Sequence, residues 1–279
     1  MTKTSRATVL VYTAADMPGR DVVGDVSEYY RKILPFYEIE SAARRDIGFW
    51  RSLVRRWRPT RVLDLGAGLG RITGAVARDA PAIGIDVSIE MLARAWSLRK
   101  PGSRARFVAG DMRRVHFSGA FDLIIAADDP FSHLTSAADR RRALRAVARQ
   151  LSPRGRFVLD GLYRRGRVFA PPPRRIRHAG GSLSISETWR PIGATQIWRA
   201  RYRYRDRRGQ EEGTRVEASF VARAWDPGRV RGLFRSCGLA VEEIWGAFDG
   251  RPFTPGADRV IVVARRSKRR DTRPDDRSR

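Results

Sequence analysis

Carboxylates follow three successive apolar segments in the first half of the chain. Asp64 and Asp86 each end a short apolar run, and Asp111 follows the next run by two residues. Because the carboxyl ends of parallel strands meet at one edge of a sheet, we predict that the three acids surround a common crevice. Carboxylates bind hydroxyl, amino and ammonium groups through charge-assisted hydrogen bonds. The three acids therefore predict a site for a polar ligand that carries positive charge.

Glycines occupy alternate positions directly after Asp64. Gly66, Gly68 and Gly70 would let the backbone turn tightly and approach a ligand at the end of a strand. The spacing differs from the Gly-x-Gly-x-x-Gly pattern of dinucleotide sites, in which a helix N-terminus binds a pyrophosphate. It favours S-adenosylmethionine (SAM), which has no phosphate and carries an ammonium that Asp64 could bind. The alternative is that the glycines form only a tight strand-to-helix turn.

The other two acids suit the nucleoside part of SAM. Asp86 lies twenty residues after Gly66, where a carboxylate can accept hydrogen bonds from both ribose hydroxyls. Helix capping is the alternative role for Asp86. Asp111 can accept from the adenine amino group and Met112 can pack on the ring, unless Asp111 is a solvated loop acid.

Five segments resemble the class I SAM-dependent methyltransferases in order and spacing. They are Asp64–Gly70, Ile83–Asp86, Gly110–Met112, Phe121–Ile125 and Leu151–Gly155. In the last of these, an arginine replaces one glycine of the usual Leu-x-Pro-Gly-Gly, which matters little to a turn. The resemblance covers about residues 36–162 and resumes at 238–265.

This resemblance implies a methyltransferase that uses SAM, releases S-adenosylhomocysteine (SAH) and needs no metal. It also implies cofactor contacts at the ends of the first, second and fourth strands, from Gly66, Ala67, Gly68, Gly70, Val87 and Ala127.

The segment Gly246–Phe253 looks like the small-molecule branch of the family, which includes sugar-amine and glycine-type N-methyltransferases. The branch carries an added antiparallel sheet, and it implies a small-molecule acceptor. In this branch a tyrosine upstream of the domain often closes over SAM. Tyr37 has the matching position, and a packing role for Tyr37 is the alternative.

Acceptor chemistry is expected in the segment that follows the fourth strand, Ala127–Leu134. Methyl transfer is an in-line displacement with a neutral leaving group, so positioning and desolvation can supply much of the rate. An ammonium or hydroxyl acceptor must also lose a proton, and His133 is the best base in the segment. Asp128 or Asp129 could bind a cationic acceptor. A capping or core role for His133 remains open.

A nucleic-acid base methyltransferase is the alternative function. The net charge is +26, and Asp128-Asp129-Pro130-Phe131 resembles the Asp/Asn-Pro-Pro-Tyr/Phe motif whose aromatic ring stacks on a flipped base. Asp129 replaces the first proline, and an extra carboxylate is unfavourable beside a polyanion. Arginines that coat a solvated surface also explain the charge. A non-catalytic SAM-binding scaffold would require a damaged cofactor loop, and this loop is intact.

The elements that position these residues alternate between strand and helix patterns. Apolar residues at helical spacing predict a helix from Ser41 to Trp57, and five short apolar strands then alternate with helices as far as Asp160. Two further strands, residues 239–245 and 259–264, would complete the sheet. We therefore predict an α/β fold with a Rossmann-like, seven-stranded, mostly parallel sheet and helices on both faces.

A period of two takes over after Pro171-Pro172-Pro173. Between residues 182 and 222, apolar residues alternate with polar ones, most sharply where Trp198, Ala200 and Tyr204 alternate with arginines. This pattern predicts a small antiparallel sheet laid over the main domain. The predicted organisation is a loose leader (1–25), a SAM-binding core (26–165), an antiparallel addition (166–225), a C-terminal completion of the core (226–265) and a disordered basic tail (266–279).

Composition limits the remaining possibilities. No stretch approaches the roughly 20 consecutive apolar residues that span a bilayer, and the N-terminus has no signal-peptide core, so a membrane location is not expected. The single cysteine, Cys237, allows no internal disulfide or cysteine metal cluster, which favours a reducing cytoplasm. An exposed sheet edge could pair with a second chain, so a homodimer is a further expectation.

Overall fold

Eleven strands form two separate sheets in this computed structural model, which describes residues 20–164, 166, 168–208, 211–257 and 259–267. The strands are β1 (Val62–Leu65), β2 (Ala82–Asp86), β3 (Ala105–Ala109), β4 (Phe121–Ala126), β5 (Leu151–Leu162), β6 (Arg174–His178), β7 (Gly181–Pro191), β8 (Ile197–Arg208), β9 (Glu211–Arg223), β10 (Leu239–Trp245) and β11 (Arg259–Arg266).

The central sheet has seven strands in the order β10-β11-β5-β4-β1-β2-β3. Its five strands from β1 to β5 are parallel, whereas β11 runs antiparallel to both β5 and β10. The chain leaves β1 toward β2 and β3 on one side, and β4 and β5 lie on the other side. Ligand crevices form at the carboxyl ends of strands where the order reverses in this way. The predicted α/β architecture is confirmed.

Helices cover both faces of the central sheet. They are α1 (Arg20–Ala42), α2 (Ile47–Trp57), α3 (Arg71–Val76), α4 (Ile89–Leu98), α5 (Ala137–Gln150) and α6 (Pro227–Ser236). Leu144 of α5 and Phe234 of α6 pack in the hydrophobic core on one face. Trp50 of α2 and Leu92 of α4 pack in the core on the other face.

The helix predicted from Ser41 to Trp57 is in fact two helices. α1 ends at Ala42 and α2 begins at Ile47, after Asp46. The Asp46 carboxylate pairs with Arg71 and accepts a hydrogen bond from Trp50 Nε1 at 3.1 Å, so tertiary contacts fix the chain at the break. Part of the predicted leader also differs, because residues 20–25 begin α1. Residues 1–19 and the tail from 268 lie outside the described residues.

The second sheet is antiparallel and has the order β6-β7-β8-β9. Its inner face carries Trp198, Ala200 and Tyr204, which pack against Ile33 and Phe36 of α1. The added antiparallel sheet is therefore confirmed, and α1 lies between it and the central sheet's ligand edge. Within the described ranges, no helix is long and apolar enough to cross a membrane.

Candidate active site

The glycine loop after β1 is held by two close packing contacts. Gly66, Gly68 and Gly70 all have positive φ angles, of 71°, 51° and 72°. A Cβ atom would lie 2.4 Å from Pro130 if added at Gly66 and 2.4 Å from Phe107 if added at Gly70. At Gly68 it would meet nothing within 4 Å. Gly66 and Gly70 therefore allow dense packing, while Gly68 faces open space.

That open space belongs to a cleft of about 860 Å³ at the carboxyl ends of β1, β2, β3 and β4. Most of the predicted site residues line it: Tyr37, Gly66, Gly68, Asp86, Val87, Asp111, Met112, Ala127, Asp128 and His133. Four predicted residues do not line it, namely Asp64, Ala67, Gly70 and Asp129. Tyr30 of α1 also lines the cleft and was not predicted.

Asp86 and Asp111 both lie in the wall of this cleft, held in different ways. The Asp86 carboxylate accepts hydrogen bonds from the backbone N–H groups of Gly68 at 2.8 Å and Ser88 at 2.9 Å. Burial raises the pKa of Asp86, and the two backbone donors act against that shift. Asp111 instead pairs with Arg113, whose Nη2 lies 2.7 Å from the carboxylate. Arg113 also reaches Asp139 at the start of α5, at 3.2 Å.

Asp64 reaches α3 instead of the cleft. Its carboxylate is 2% exposed and accepts a hydrogen bond from Thr73 Oγ1 at 2.6 Å. Burial raises the pKa of Asp64 to about 7. The direct contact between Asp64 and a ligand ammonium, expected from sequence, therefore has no support in this geometry.

A second cavity of about 800 Å³ lies between α1, the turn after β4 and the inner face of the small sheet. Its wall is rich in aromatic rings, which include Tyr29, Trp189, Tyr202, Tyr204 and Phe220. Four residues line both cavities: Tyr30, Tyr37, Asp128 and His133. These four side chains stand where the two cavities meet.

His133 is a partly buried imidazole at this junction. Its Nε2 lies 3.1 Å from the Tyr30 hydroxyl, and its ring packs 5.1 Å from that of Phe220. Its Nδ1 is buried without a hydrogen-bond partner in the described part of the chain. Burial lowers the pKa of His133 to about 4, although the nearby Asp128 carboxylate opposes the shift. A neutral imidazole with an unsatisfied nitrogen can accept or donate one proton to a ligand.

We expect His133 to remain neutral at pH 5.5, where an ordinary histidine with a pKa near 6.5 is about 90% protonated. The reason is that a buried imidazolium loses its hydration, so protonation requires a pH near 4. The measurement is an NMR titration of ¹⁵N-labelled imidazoles, with the His133 signal assigned by its loss in His133→Asn. A midpoint near pH 6.5 for that signal would contradict the burial described here.

The turn that carries His133 starts with two strained residues. Asp128 and Asp129 have left-handed φ angles of 63° and 52°, which non-glycine residues rarely adopt. Asp128 accepts a hydrogen bond from the Tyr37 hydroxyl at 3.3 Å and pairs with Arg44, which lies between α1 and α2. Its backbone N–H donates to Asp160 at the end of β5, at 3.2 Å. The strain therefore sets a carboxylate at the junction of the two cavities.

Asp129 has a different environment from its neighbour. Its two carboxylate oxygens accept hydrogen bonds from the Leu162 backbone N–H at 2.6 Å and from Trp225 Nε1 at 3.2 Å. Burial raises the pKa of Asp129 to about 8. These contacts tie the turn to β5 and to the segment after β9. Asp129 also lines the second cavity, but not the first.

Phe131, the aromatic residue of the predicted base-stacking motif, is buried. Its side chain is 0% exposed, and its ring packs 5.9 Å from Phe157 and 6.1 Å from Trp225. It therefore presents no face to a ligand. Among the residues that the structure describes, no group of three or more histidine, cysteine, aspartate or glutamate side chains could hold a metal ion.

Comparison with known proteins places this site in a family. Residues 62–155, which contain the glycine loop, Asp86, Asp111 and His133, match the family model described as "Methyltransferase domain". Residues 62–155 therefore form a methyltransferase domain, and the chain is similar to class I SAM-dependent methyltransferases. The matched segment covers the strands β1 to β4 and the start of β5, and therefore the whole glycine-loop side of the cleft.

Two curated relatives of this methyltransferase act on amino groups, by their names. A cypemycin N-terminal methyltransferase from a Streptomyces species is 27% identical over 218 residues, which are 74% of this chain and 82% of that protein. A glycine/sarcosine N-methyltransferase from Halorhodospira halochloris is 31% identical over 125 residues, or 43% of this chain and 47% of that protein.

The fold of the enzyme is shared with solved methyltransferases. SAM-bound CalS10, described as an amino pentose methyltransferase from Micromonospora echinaspora, superposes with a TM-score of 0.70 at 20% identity. The superposition covers 84% of this chain and 97% of that one. At this level of identity the match concerns the fold, including the seven-stranded sheet.

The second cavity contains residues that sequence reasoning missed. Tyr30 is one of them, although it precedes the predicted Tyr37 by seven residues and so shares a face with it on a helix. That helical spacing could have indicated Tyr30. Glu40 near the end of α1 and Arg44 just after the helix line the second cavity as well. Tyr202 and Tyr204 differ from these residues, because the alternation along the predicted small sheet already suggested that they either line an acceptor pocket or bury the sheet; both line the second cavity.

Proposed function

We infer that this methyltransferase transfers the methyl group of SAM to an amine nitrogen of a small-molecule acceptor. The observation that carries the proposal is the pair of cavities that meet at Tyr30, Tyr37, Asp128 and His133. In-line transfer needs a donor site and an acceptor site on opposite sides of one junction, with reacting atoms about 3 Å apart. The names of the two curated relatives, an N-terminal methyltransferase and an N-methyltransferase, support nitrogen as the acceptor.

The first cavity fits SAM. Gly68 leaves room for a ligand against the backbone, and Asp86 is held by two backbone donors with lone pairs still available for ribose hydroxyls. Asp111 and Met112 line the same cleft and would bind the adenine, with Val87 and Ala127 as apolar contacts. SAM bound there would supply a methyl group on a positively charged sulfur. Tyr37 and Tyr30 would cover it from α1.

The junction residues suit an amine that arrives as an ammonium. The Asp128 carboxylate would hold the cation at the junction, where Arg44 and Tyr37 fix its orientation. With a proton on Nε2, His133 donates to the Tyr30 oxygen and keeps the Nδ1 lone pair. Nδ1 then accepts one proton from the ammonium, a transfer that the nearby Asp128 carboxylate favours because it stabilises the imidazolium, and the nitrogen lone pair is released. The N–C bond forms as the C–S bond breaks, and the thioether SAH leaves without charge.

The second cavity suits a small acceptor that is partly apolar. Tyr29, Trp189, Tyr202 and Phe220 provide ring faces, whereas the acid Glu40 is already engaged by Arg174 at 2.8 Å. The site does not favour the alternative function, a nucleic-acid base methyltransferase, because the buried Phe131 ring cannot stack on a flipped base.

We expect Asp128→Asn to lower kcat/KM for amine acceptors by about 10- to 100-fold, because the neutral amide loses the charge-assisted contact to the ammonium. The assay measures SAH release with a panel of aliphatic amines, which contains an amino sugar, α-amino acids and a short peptide with a free N-terminus. Hydroxyl analogues of the same compounds and a single-stranded oligonucleotide complete the panel.

The control for this experiment is Asp226→Asn, a substitution at the N-cap of α6, away from both cavities. Turnover of the hydroxyl analogues or the oligonucleotide, with none of the amines, would overturn the proposed acceptor class. Equal losses of kcat/KM in Asp128→Asn and Asp226→Asn would show that Asp128 has no specific role in the reaction.

A further inference from the structure

The outer face of the second sheet is a dense array of arginines that methyl transfer does not use. Along β8, alternate side chains point away from the aromatic cavity, and every one of them from residue 199 to residue 207 is an exposed arginine. The strand register places more arginines beside them. The outer face is defined by Arg175, Arg177, Arg190, Arg199, Arg201, Arg203, Arg205, Arg207 and Arg215, all exposed.

Among the residues that the structure describes, acidic side chains do not neutralise the positive charge of the outer face. The register places two glutamates among the nine arginines of the outer face: Glu212, opposite Arg207, and Glu217, which both Arg201 and Arg203 bind, at 3.2 and 2.8 Å. The register also sets Arg190 directly opposite Arg199. Like charges opposite each other destabilise an antiparallel pair, so the free protein bears a repulsion that a bound polyanion would relieve.

The side chains between the arginines are hydroxyls. Ser182, Ser184, Ser186 and Thr188 of β7 lie in register with β8, and Ser182 and Ser184 also lie opposite Arg177 and Arg175 of β6. Arginine forks and serine or threonine hydroxyls are the groups that contact phosphate oxygens in protein–DNA complexes. Aromatic side chains are missing from the outer face as described, so it has no platform on which single-stranded bases could stack.

The composition of this face discriminates between macromolecular partners. A stable protein–protein interface needs an apolar or aromatic centre, and the described residues of the outer face offer only Val221 and, at the start of β8, Ile197. A duplex backbone needs no such centre. From Arg199 to Arg207 the strand extends over about 27 Å, a length in which a duplex presents roughly sixteen phosphate charges.

We propose that the outer face binds the phosphate backbone of double-stranded nucleic acid without sequence preference. The partner is not the methyl acceptor, because the two cavities lie on the other side of the sheet, under Trp198, Ala200 and Tyr204. Binding here would localise the enzyme on nucleic acid and leave both cavities accessible.

The test compares two full-length variants that each lose three positive charges. Arg199→Thr, Arg205→Thr and Arg207→Thr are combined in one variant, since threonine suits an exposed strand position. Arg141→Gln, Arg145→Gln and Arg149→Gln are combined in the control, where all three arginines are exposed on α5. Binding to a fluorescent 20-base-pair DNA duplex is measured by anisotropy over a range of salt concentrations.

We expect the sheet variant to bind the duplex on the order of 100-fold more weakly at 0.15 M salt, and the slope of log K against log[salt] to fall by about 2.7. The control variant should keep the slope of the unchanged protein, and both variants should retain methyl transfer. Should the triple variant not fold, single Arg199→Thr and Arg205→Thr substitutions should each lower the slope by about 0.9.

Equal losses in the sheet variant and the α5 control would overturn the proposal, because net charge alone would then explain binding. Stronger binding to polyglutamate, or to phosphatidylcholine vesicles with 30% phosphatidylglycerol, than to the duplex would also overturn it. The first of those results would indicate an acidic protein and the second an anionic membrane.

Discussion

Gly68→Val is expected to raise the Kd for SAH by at least about 100-fold. Two effects act together at this position. The φ angle of 51° lies in the left-handed region, which is strained for a β-branched residue. The added side chain would also project into the open space of the first cavity, since nothing lies within 4 Å of a Cβ there. Isothermal titration calorimetry with SAH measures the change directly.

The matched control is Gly74→Val, three residues into α3. That glycine also has no atom within 4 Å of an added Cβ, but it lies in a regular helix and outside the first cavity. Its SAH affinity should match that of the unchanged protein. A second probe, Asp86→Ala, removes a carboxylate without adding bulk and should also weaken binding. SAH affinity that survives both Gly68→Val and Asp86→Ala would refute the assignment of the first cavity to the cofactor.

His133→Ala should lower kcat by about 10²- to 10⁴-fold with amine acceptors, the range typical of a lost general base. His133 is the neutral base at the junction, with a pKa of about 4 and a buried Nδ1 that has no partner in the described chain. SAH affinity should change by less than about fivefold, because the cofactor contacts of Gly68 and Asp86 remain. Steady-state kinetics and calorimetry together separate the two effects.

A pH profile distinguishes a catalytic base from a packing residue. Without His133, the amine must lose its proton to solvent, so kcat/KM of His133→Ala should rise about tenfold per pH unit up to the pKa of the acceptor. Tyr30→Phe should cause a smaller loss, because it removes the hydrogen-bond partner of Nε2 and leaves the imidazole in place. A His133→Ala loss that is constant from pH 6 to pH 10 would indicate packing alone.

Local patterns encoded most of the central sheet. The strand at Val62–Leu65 is buried at every position, and it was predicted because four apolar or strand-ending residues precede a glycine turn. Ser88 and Ser136 cap α4 and α5 through their side-chain oxygens, each of which accepts from the backbone N–H three residues later. Such features depend on neighbours within a few positions, so the sequence states them directly.

Local patterns of this kind could not identify hydrogen-bond partners that lie farther along the chain. Asp64 and Asp129 have the residue type and position of ligand-binding acids, yet Thr73 in one case and Leu162 with Trp225 in the other occupy their carboxylates. The residues that neighbour an aspartate in a loop do not indicate which hydrogen-bond donor will bind its carboxylate. Only the folded arrangement of β5 and Trp225 decided that Asp128, and not Asp129, lines both cavities.

The amino-acid sequence by itself determined the class of fold, the glycine loop and the acids Asp86 and Asp111, because periodicity and turn chemistry are local properties of the chain. The tertiary structure alone decided the acceptor cavity, since its wall joins Tyr30 of α1, His133 of a turn and Tyr202 of the second sheet. Those residues are separated by about a hundred and seventy positions. They meet because the hydrophobic inner face of the small sheet is buried against α1. The hydrophobic effect is not directional, so no short stretch of sequence states which apolar surfaces will pack together.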